Sequence, residues 1–539
     1  MKKAIISAIF IGITGQAQTK KDSTRQIEEV KISALIKKQL KNDLKVSVSV
    51  DEYLASVENI SFIKRGAYAW EPLLNNMSTE RSVITIDGMH IFGACTDKMD
   101  PVSSYVESNN LAGVEVSSGQ QGGMNGATIA GSIDLKRRKV PFSDETKIGG
   151  SYQSIFEFNN QQTSHLGDLY FSNKKWAADA SIGYRMAKNY TDGSGNEVKH
   201  SQFNKLNTSM GMSYKMSPLS SVRIDAIFDM AKDVGYPALP MDLWLSRALI
   251  TSASYKQLFL NSWAKAWETK AYFNTIEHYM DDTTRPENLV HMDMPGWSTT
   301  YGLTSKLSLS KGKYRSEIQL NTYQNESISE MTMYPQDRNR KLMFAFSWPY
   351  VTTQFLGVSA ENQWEFSDRA RLSVGGGVNW HYNYSKYAEF NRIFHPNSSQ
   401  EKTRILPSLH STYYLDIDDF SFSLGLGYGH RAPSVSEGYG YYIYNSFDRY
   451  DYIGNPDLKN EISYESNLSI GYKKENLSVE LKGNYFHIDN YIIGKILNVG
   501  SPMNYQSTGV KGYTSLDFAK LYNLSFNFKY DFAENWQWK

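Results

Sequence analysis

From residue 147 onward the chain is written almost entirely in period two. Phe420, Phe422, Leu424, Leu426 and Tyr428 alternate with Ser421, Ser423, Gly425, Gly427 and Gly429. Leu468, Ile470 and Tyr472 repeat the pattern, a polar turn follows at Lys473–Asn476, and Leu477, Val479, Leu481 and Tyr485 carry it back. On a strand, neighbouring residues face opposite sides. Such hairpins therefore build a sheet with one apolar, aromatic face and one face of Ser, Gly, Asn and Lys. In a soluble sandwich the apolar face needs a second sheet, and one core seldom serves more than roughly 250–300 residues. Here the pattern runs to residue 539. In an outer-membrane barrel the apolar face meets lipid and the small polar face lines the lumen. Connections of unequal length, short at Lys473–Asn476 and long over Met280–Ser298 and Gly429–Tyr464, fit the short turns and long loops of such barrels.

Composition agrees. Hydrophobic residues make up 41%, yet aromatics reach 14%, with 37 Tyr, 25 Phe and 11 Trp. That is too polar for a bundle of membrane helices and suits a barrel with aromatic girdles. No stretch holds the ~18 apolar residues that a spanning helix needs. A net charge of +1 gives no basic field for nucleic acid.

Four regions are expected. Residues 1–17 read as an export signal: Lys2 and Lys3, then a short apolar run over 4–14, then Gly15-Gln16-Ala17 as a small-x-small cleavage site. Residues 18–45 are charged and flexible, with a short extended island at Ile27–Ala34. Residues 46–139 are rich in Gly and small residues, contain short strands such as Ser82–Gly88, and end in the basic patch Lys136–Lys139. They predict a compact mixed α/β domain. Residues 147–539 are the barrel. Leu524, Phe526, Phe528, Tyr530 and Phe532 form a strand, Ala533–Asn535 a turn, and Trp536–Lys539 opens another strand. A barrel must pair its edges, so the expectation is an incomplete barrel whose last strands are missing.

These features together resemble the TonB-dependent receptors. The plug-like region is similar to theirs in Lys64-Arg65-Gly66, in Ile86-Asp87-Gly88-Met89, and from Val114-Glu115-Val116 through Gly119–Gly126. The barrel is similar in Arg431-Ala432-Pro433-Ser434 and in Gly454–Lys459. The resemblance implies a barrel of about 22 strands with the α/β domain plugging its lumen. It also implies a monomer in the outer membrane of a Gram-negative bacterium, surrounded by lipid. The TonB–ExbB–ExbD complex would pull on Ile27–Ala34, which looks like the family's box. No enzyme, organic cofactor or nucleic acid partner is expected. The glycines of 119–126 lack the Gly-Lys-Ser/Thr ending of a phosphate loop, and there is neither a nucleophile elbow nor a His-Glu-x-x-His helix.

One constellation carries chemistry. Cys95, the single cysteine, lies four residues before Met99, and a turn between them brings thiolate and thioether to one point. Both are soft donors, which select Cu(I) over hard cations. Far along the chain, His278 and Met280 are two apart and share a strand face. Lys270, Tyr272, Asn274 and Ile276 have the same parity, so the sequence alone leaves the direction of that face open. A plug Cys-x-x-x-Met with a barrel His-x-Met resembles the TonB-dependent copper receptors. By that resemblance Cys95, Met99, His278 and Met280 are the ligands of a transported copper ion. A receptor for a siderophore or other organic nutrient is the alternative. Met89 and His90, and His291, Met292, Met294, Met331 and Met333, read as loop residues, are candidates for passing copper inward.

Overall fold

A computed structural model describes residues 49–337, 339–387, 389–501, 507–533 and 536–538. The expected export signal and the Ile27–Ala34 island lie outside the described residues. Among those described, no helix is long and apolar enough to cross a membrane.

Starting at Lys147–Glu157, seventeen described strands form one sheet in chain order. Each described ladder between sequence neighbours is antiparallel. The longest strand, Met343–Glu365, has 23 residues. Against the 22 or so strands that the resemblance implies, the described sheet has seventeen. The sheet order returns from the three-residue strand Trp536–Trp538 to the first strand. That short strand pairs with Phe518–Ala533 at three positions, and no ladder is described across the seam to Lys147–Glu157.

The alternation read from the sequence is the alternation of faces. Leu424 and Leu426 are 54% and 60% exposed, whereas Gly425 and Gly429 are buried. Tyr522, Leu524 and Phe526 likewise point outward. This outer face has the character that lipid requires. Connections alternate too. Residues 218–219, 312–313, 418–419 and 475–476 are two-residue turns at one end, while 188–202, 386–400, 432–460 and 490–517 are long loops at the other.

The expected long loop from Met280 to Ser298 is corrected. The strand Ala264–Asp281 includes Met280, and the next strand begins at Val290, so the loop spans 282–289. Met292 and Met294 are strand residues, as are Met331 and Met333 on Tyr314–Pro335. Pro295 and Gly296 look like turn residues, but they pair with Tyr279 and His278 in an unbroken antiparallel ladder. Proline tolerates such a place where its missing N–H is not needed.

The N-terminal region is a plug of mixed α/β structure. A helix, Val50–Leu54, is capped by Ser49, whose hydroxyl accepts from the Glu52 N–H. A four-stranded sheet follows, ordered Met89–His90, Ser82–Ile86, Gly131–Arg137, Leu111–Ser118, with its central pair parallel. Its buried Ile86, Ile133 and Leu135 belong to one apolar cluster with Ile227, Ile250 and Ile276 of the barrel's inner face. Fully burying each such side chain stabilises by about 1.5–3 kcal/mol. Buried polar joints add direction: Arg81 meets Glu461 at 2.5 Å, Lys205 meets Glu107 at 2.9 Å, and the Gln120 N–H donates to Glu465 at 2.8 Å. At the long-loop end, Ile443–Asn445, Tyr450–Ile453, Ile492–Leu497 and Val510–Ser515 make a small separate sheet.

Candidate metal centre

The plug side is built by one turn. The Lys98 N–H donates to the Cys95 carbonyl, 3.3 Å away, and Lys98 itself sits at φ +54°. Few non-glycine residues occupy that left-handed region without support. Here the support is ionic: the Lys98 ammonium lies 2.9 Å from Glu71 and also contacts Glu80, and Glu71 is held in turn by Arg65 at 2.8 Å. The turn brings Met99 into the same buried cluster as Cys95, with 1% and 4% exposure. The Tyr236 hydroxyl fixes the next step by donating to the Met99 carbonyl at 2.6 Å.

On the barrel side, the open question of parity resolves inward. Lys270, Tyr272, Asn274, Ile276, His278 and Met280 are all buried. Lys270 donates to the Asp87 carbonyl at 2.6 Å and Asn274 to the His90 carbonyl at 3.1 Å, so this face meets the plug. Directly across the ladder from His278 stands Gly296. A Cβ there would lie 2.0 Å from the Ala94 carbonyl oxygen. The glycine lets the plug backbone approach the wall beside His278.

The two sides converge. The Cys95 Sγ, one ring nitrogen of His278 and a carboxylate oxygen of Asp100 all lie within 4.8 Å of one another, and all three residues are buried. Met280 belongs to the same buried cluster as Cys95 and Met99. Asp100 directly follows Met99, and the soft-donor pattern of the sequence assigns it no role. Its Oδ1 lies 3.1 Å from His278 Nδ1. Its Oδ2 accepts from Ser246 at 2.9 Å and from Tyr105 at 3.0 Å. A carboxylate in that place sets the orientation of a metal-binding imidazole. Neither His278 nitrogen nor Asp100 Oδ1 makes a well-angled hydrogen bond among the described residues. Buried polar groups left in this way are uncommon and call for an account. Burial pushes the Cys95 thiol above its ordinary range, with the His278 imidazole beside it pulling the other way.

The methionines corrected from loop to strand form cross-strand steps above this point. Met280 faces Met294, Met292 faces Met333, and Met333 faces Met343. Met280, Met292, Met294, Met331 and Met333 share the buried cluster that holds Cys95. Tyr442, Ile453 and Val510 of the long loops belong to it as well. The remaining candidates stand apart. Met89 packs in the apolar core shared by plug and wall, His291 is part-exposed with Nδ1 3.2 Å from Asp282, and the ring of His90 packs on Tyr323 at 4.9 Å.

Comparison with known proteins places this architecture. Residues 139–539 match the family model of the TonB dependent receptor-like β-barrel. No curated protein matches the chain. Among solved structures, the copper transporter OprC superposes with a TM-score of 0.77 at 18% identity, covering 91% of this chain and 75% of that one. The hemophore receptor HasR of Serratia marcescens, solved as a double mutant with its hemophore and heme, gives 0.70 at 14%, covering 90% and 77%. The siderophore receptor PirA from Acinetobacter baumannii gives 0.64 at 12%, covering 91% and 77%. At these identities the likeness is one of fold. A plugged antiparallel barrel with an apolar outer face, matched by the family model over most of its length, makes this chain a member of the TonB-dependent receptors of bacterial outer membranes.

Proposed function

We propose that this receptor imports copper as Cu(I), bound by Cys95, Met99, His278 and Met280 where the plug meets the barrel wall. The observation that carries the reading is the buried convergence of a thiol and an imidazole, with ring nitrogens left without well-angled hydrogen bonds. Thiolate, thioether and imidazole together are a donor set for Cu(I) rather than for hard cations. Asp100 acts from behind, holding His278 in one orientation. The methionine steps at Met292, Met294, Met331 and Met333 offer weak thioether contacts on the way in from the long-loop end. Two ligands belong to the plug and two to the wall, so a plug drawn by the energised TonB complex dismantles the site and frees the ion. The copper-transporting neighbour supports the cargo, while heme and siderophore receptors share the same fold.

The test is metal content of the purified full-length protein after exposure to Cu(I). The wild type is expected to retain copper, and Cys95→Ala and Met99→Ala to lose it. Equal copper in the variants refutes the ligand assignment. Growth rescue by a chelated iron source and not by copper would favour the organic-nutrient reading.

A further inference from the structure

A cavity of about 310 Å³ opens directly beneath the Cys95 turn, between plug and wall. Its lining includes Cys95 and Asp100, Ala432–Ser436 of a long loop, and His90, Tyr323, Phe355 and His381. Strand register gives the direction. The level of the Cys95 turn is marked by Gly296, which pairs with Ser329. Descending the same strand by two-residue steps leads through Ser327 and Asn325 to Tyr323, which pairs with Phe355, and Phe355 pairs in turn with His381. Six residues of strand amount to about 20 Å, and the descent is toward the two-residue turn at 312–313, away from the long loops. Ser327, Asn325 and Thr353 give the chamber a polar wall along the way. The volume holds about ten waters.

The far end carries two buried imidazoles. His381 is 8% exposed, and its Nδ1 has no hydrogen-bond partner among the described residues. His90 is 5% exposed, and its ring packs on Tyr323 with 4.9 Å between ring centres. Neutral imidazole suits copper. His90 rides on the plug, paired to Thr85, while His381 belongs to the wall. The lower end thus repeats the division of donors seen at the upper one.

We infer that this cavity is the chamber into which the ion passes on leaving Cys95, and that His90 and His381 supply a second, weaker soft-metal site at its far end. The inference rests on the copper reading of the upper site. An ion released when the plug shifts meets the next soft donors along the chamber without crossing the apolar core. Because one imidazole moves with the plug, the same shift that opens the upper site alters the lower.

The test uses the full-length receptor and Cu(I) supplied alone from a buffered source. The wild type is expected to take a tight equivalent and then about one weaker equivalent. His90→Gln with His381→Gln keeps side-chain size and hydrogen bonding but removes the imidazoles. This variant should keep the tight equivalent, which also reports that it has folded, and lose the weaker one. Its uptake into cells should fall by about tenfold. Cys95→Ala with Met99→Ala should show the converse in binding. The inference is overturned if the wild type takes only the tight equivalent, if the weaker one survives in the double Gln variant, or if that variant imports at the wild-type rate. Absence of the tight equivalent from the wild type would instead refute the copper reading itself.

Discussion

Gly296→Ala tests whether the metal centre depends on how closely the plug reaches the wall. The new Cβ would stand 2.0 Å from the Ala94 carbonyl oxygen, whereas ordinary contact begins at about 3.4 Å. The plug apex and the strand must therefore separate by roughly 1.4 Å. The neighbouring atom is backbone, so no side chain can swing aside to absorb the change. Cys95 follows Ala94 directly, and His278 faces Gly296 across the ladder, so the separation falls on the gap between thiol and imidazole. Metal–ligand distances hold within about 0.2 Å, and a shift several times larger costs a ligand or strains the whole set. Disturbing groups that position metal ligands typically lowers affinity about 10–100-fold, which corresponds to about 1.4–2.7 kcal/mol. Competition against a Cu(I) chelator measures this. Gly193→Ala is the control, because nothing lies within 4 Å of its Cβ position. Wild-type affinity in Gly296→Ala, with the control also unchanged, would refute the proposition that Ala94 and His278 are held in register by this contact.

Three further outcomes are expected. Asp100→Asn removes the charge facing His278 Nδ1 and should weaken Cu(I) binding about 10–100-fold; titration with buffered Cu(I) checks it, and an unchanged constant makes Asp100 a bystander. Burial raises the Cys95 thiol, so the apo pocket holds the proton at neutral pH and copper must displace it. Affinity should then rise by about tenfold per pH unit below the thiol's pKa, and a flat profile would mean that sulfur does not bind as thiolate. Replacing Met292, Met294, Met331 and Met333 together by Leu keeps the apolar volume and should slow uptake at low copper while leaving tight binding intact. Unchanged uptake removes the methionine steps from the route.

The sequence made the wall legible because lipid and lumen impose opposite chemistries on alternate residues. Phe422 and Leu424 against Ser423 and Gly425 need no tertiary information. Strand limits were harder. Met292 and Met294 read as loop residues, yet the pairing of Pro295 and Gly296 with Tyr279 and His278 carries the strand through them. At the site, the pairs Cys95–Met99 and His278–Met280 could be read from spacing, but the direction of His278 could not. Six same-parity residues face the plug, and what fixes this is Lys270 on Asp87 and Asn274 on His90, contacts nearly two hundred residues apart in the chain. Asp100 and Gly296 carry no signal in the sequence for a related reason. A carboxylate after a methionine and a glycine in a strand are unremarkable until the opposing surface is known.

On the copper reading, the plug has two ways to release an ion, and they differ in what they break. Extracting the whole plug breaks buried ion pairs such as Arg81 with Glu461, where stranding one partner costs about 3–5 kcal/mol each, and also exposes the shared apolar core. Moving only the Cys95–Asp100 segment leaves Arg81–Glu461 and the core in place and breaks only the segment's own ties, such as Lys98 with Glu71. A path for the smaller motion runs from the N-terminal side. Asp51, in the helix Val50–Leu54, accepts from the Ser103 hydroxyl at 3.1 Å and from the Trp70 N–H at 3.1 Å. Ser103 lies three residues beyond Asp100, which faces His278. On the proposed function, a pull arriving from the N-terminal side would reach the proposed copper site through this one buried carboxylate. Asp51→Ala cuts that link without touching any proposed ligand. Copper binding to the resting receptor should stay within about threefold of wild type, as expected for a site with no shared partner. Uptake in cells should fall severalfold, while Asp51→Asn, whose amide oxygen keeps the Trp70 N–H and whose NH2 can donate to the Ser103 hydroxyl, should restore part of it. Import by Asp51→Ala at the wild-type rate would show that the pull bypasses the helix, and the extraction of larger plug segments would become the required route.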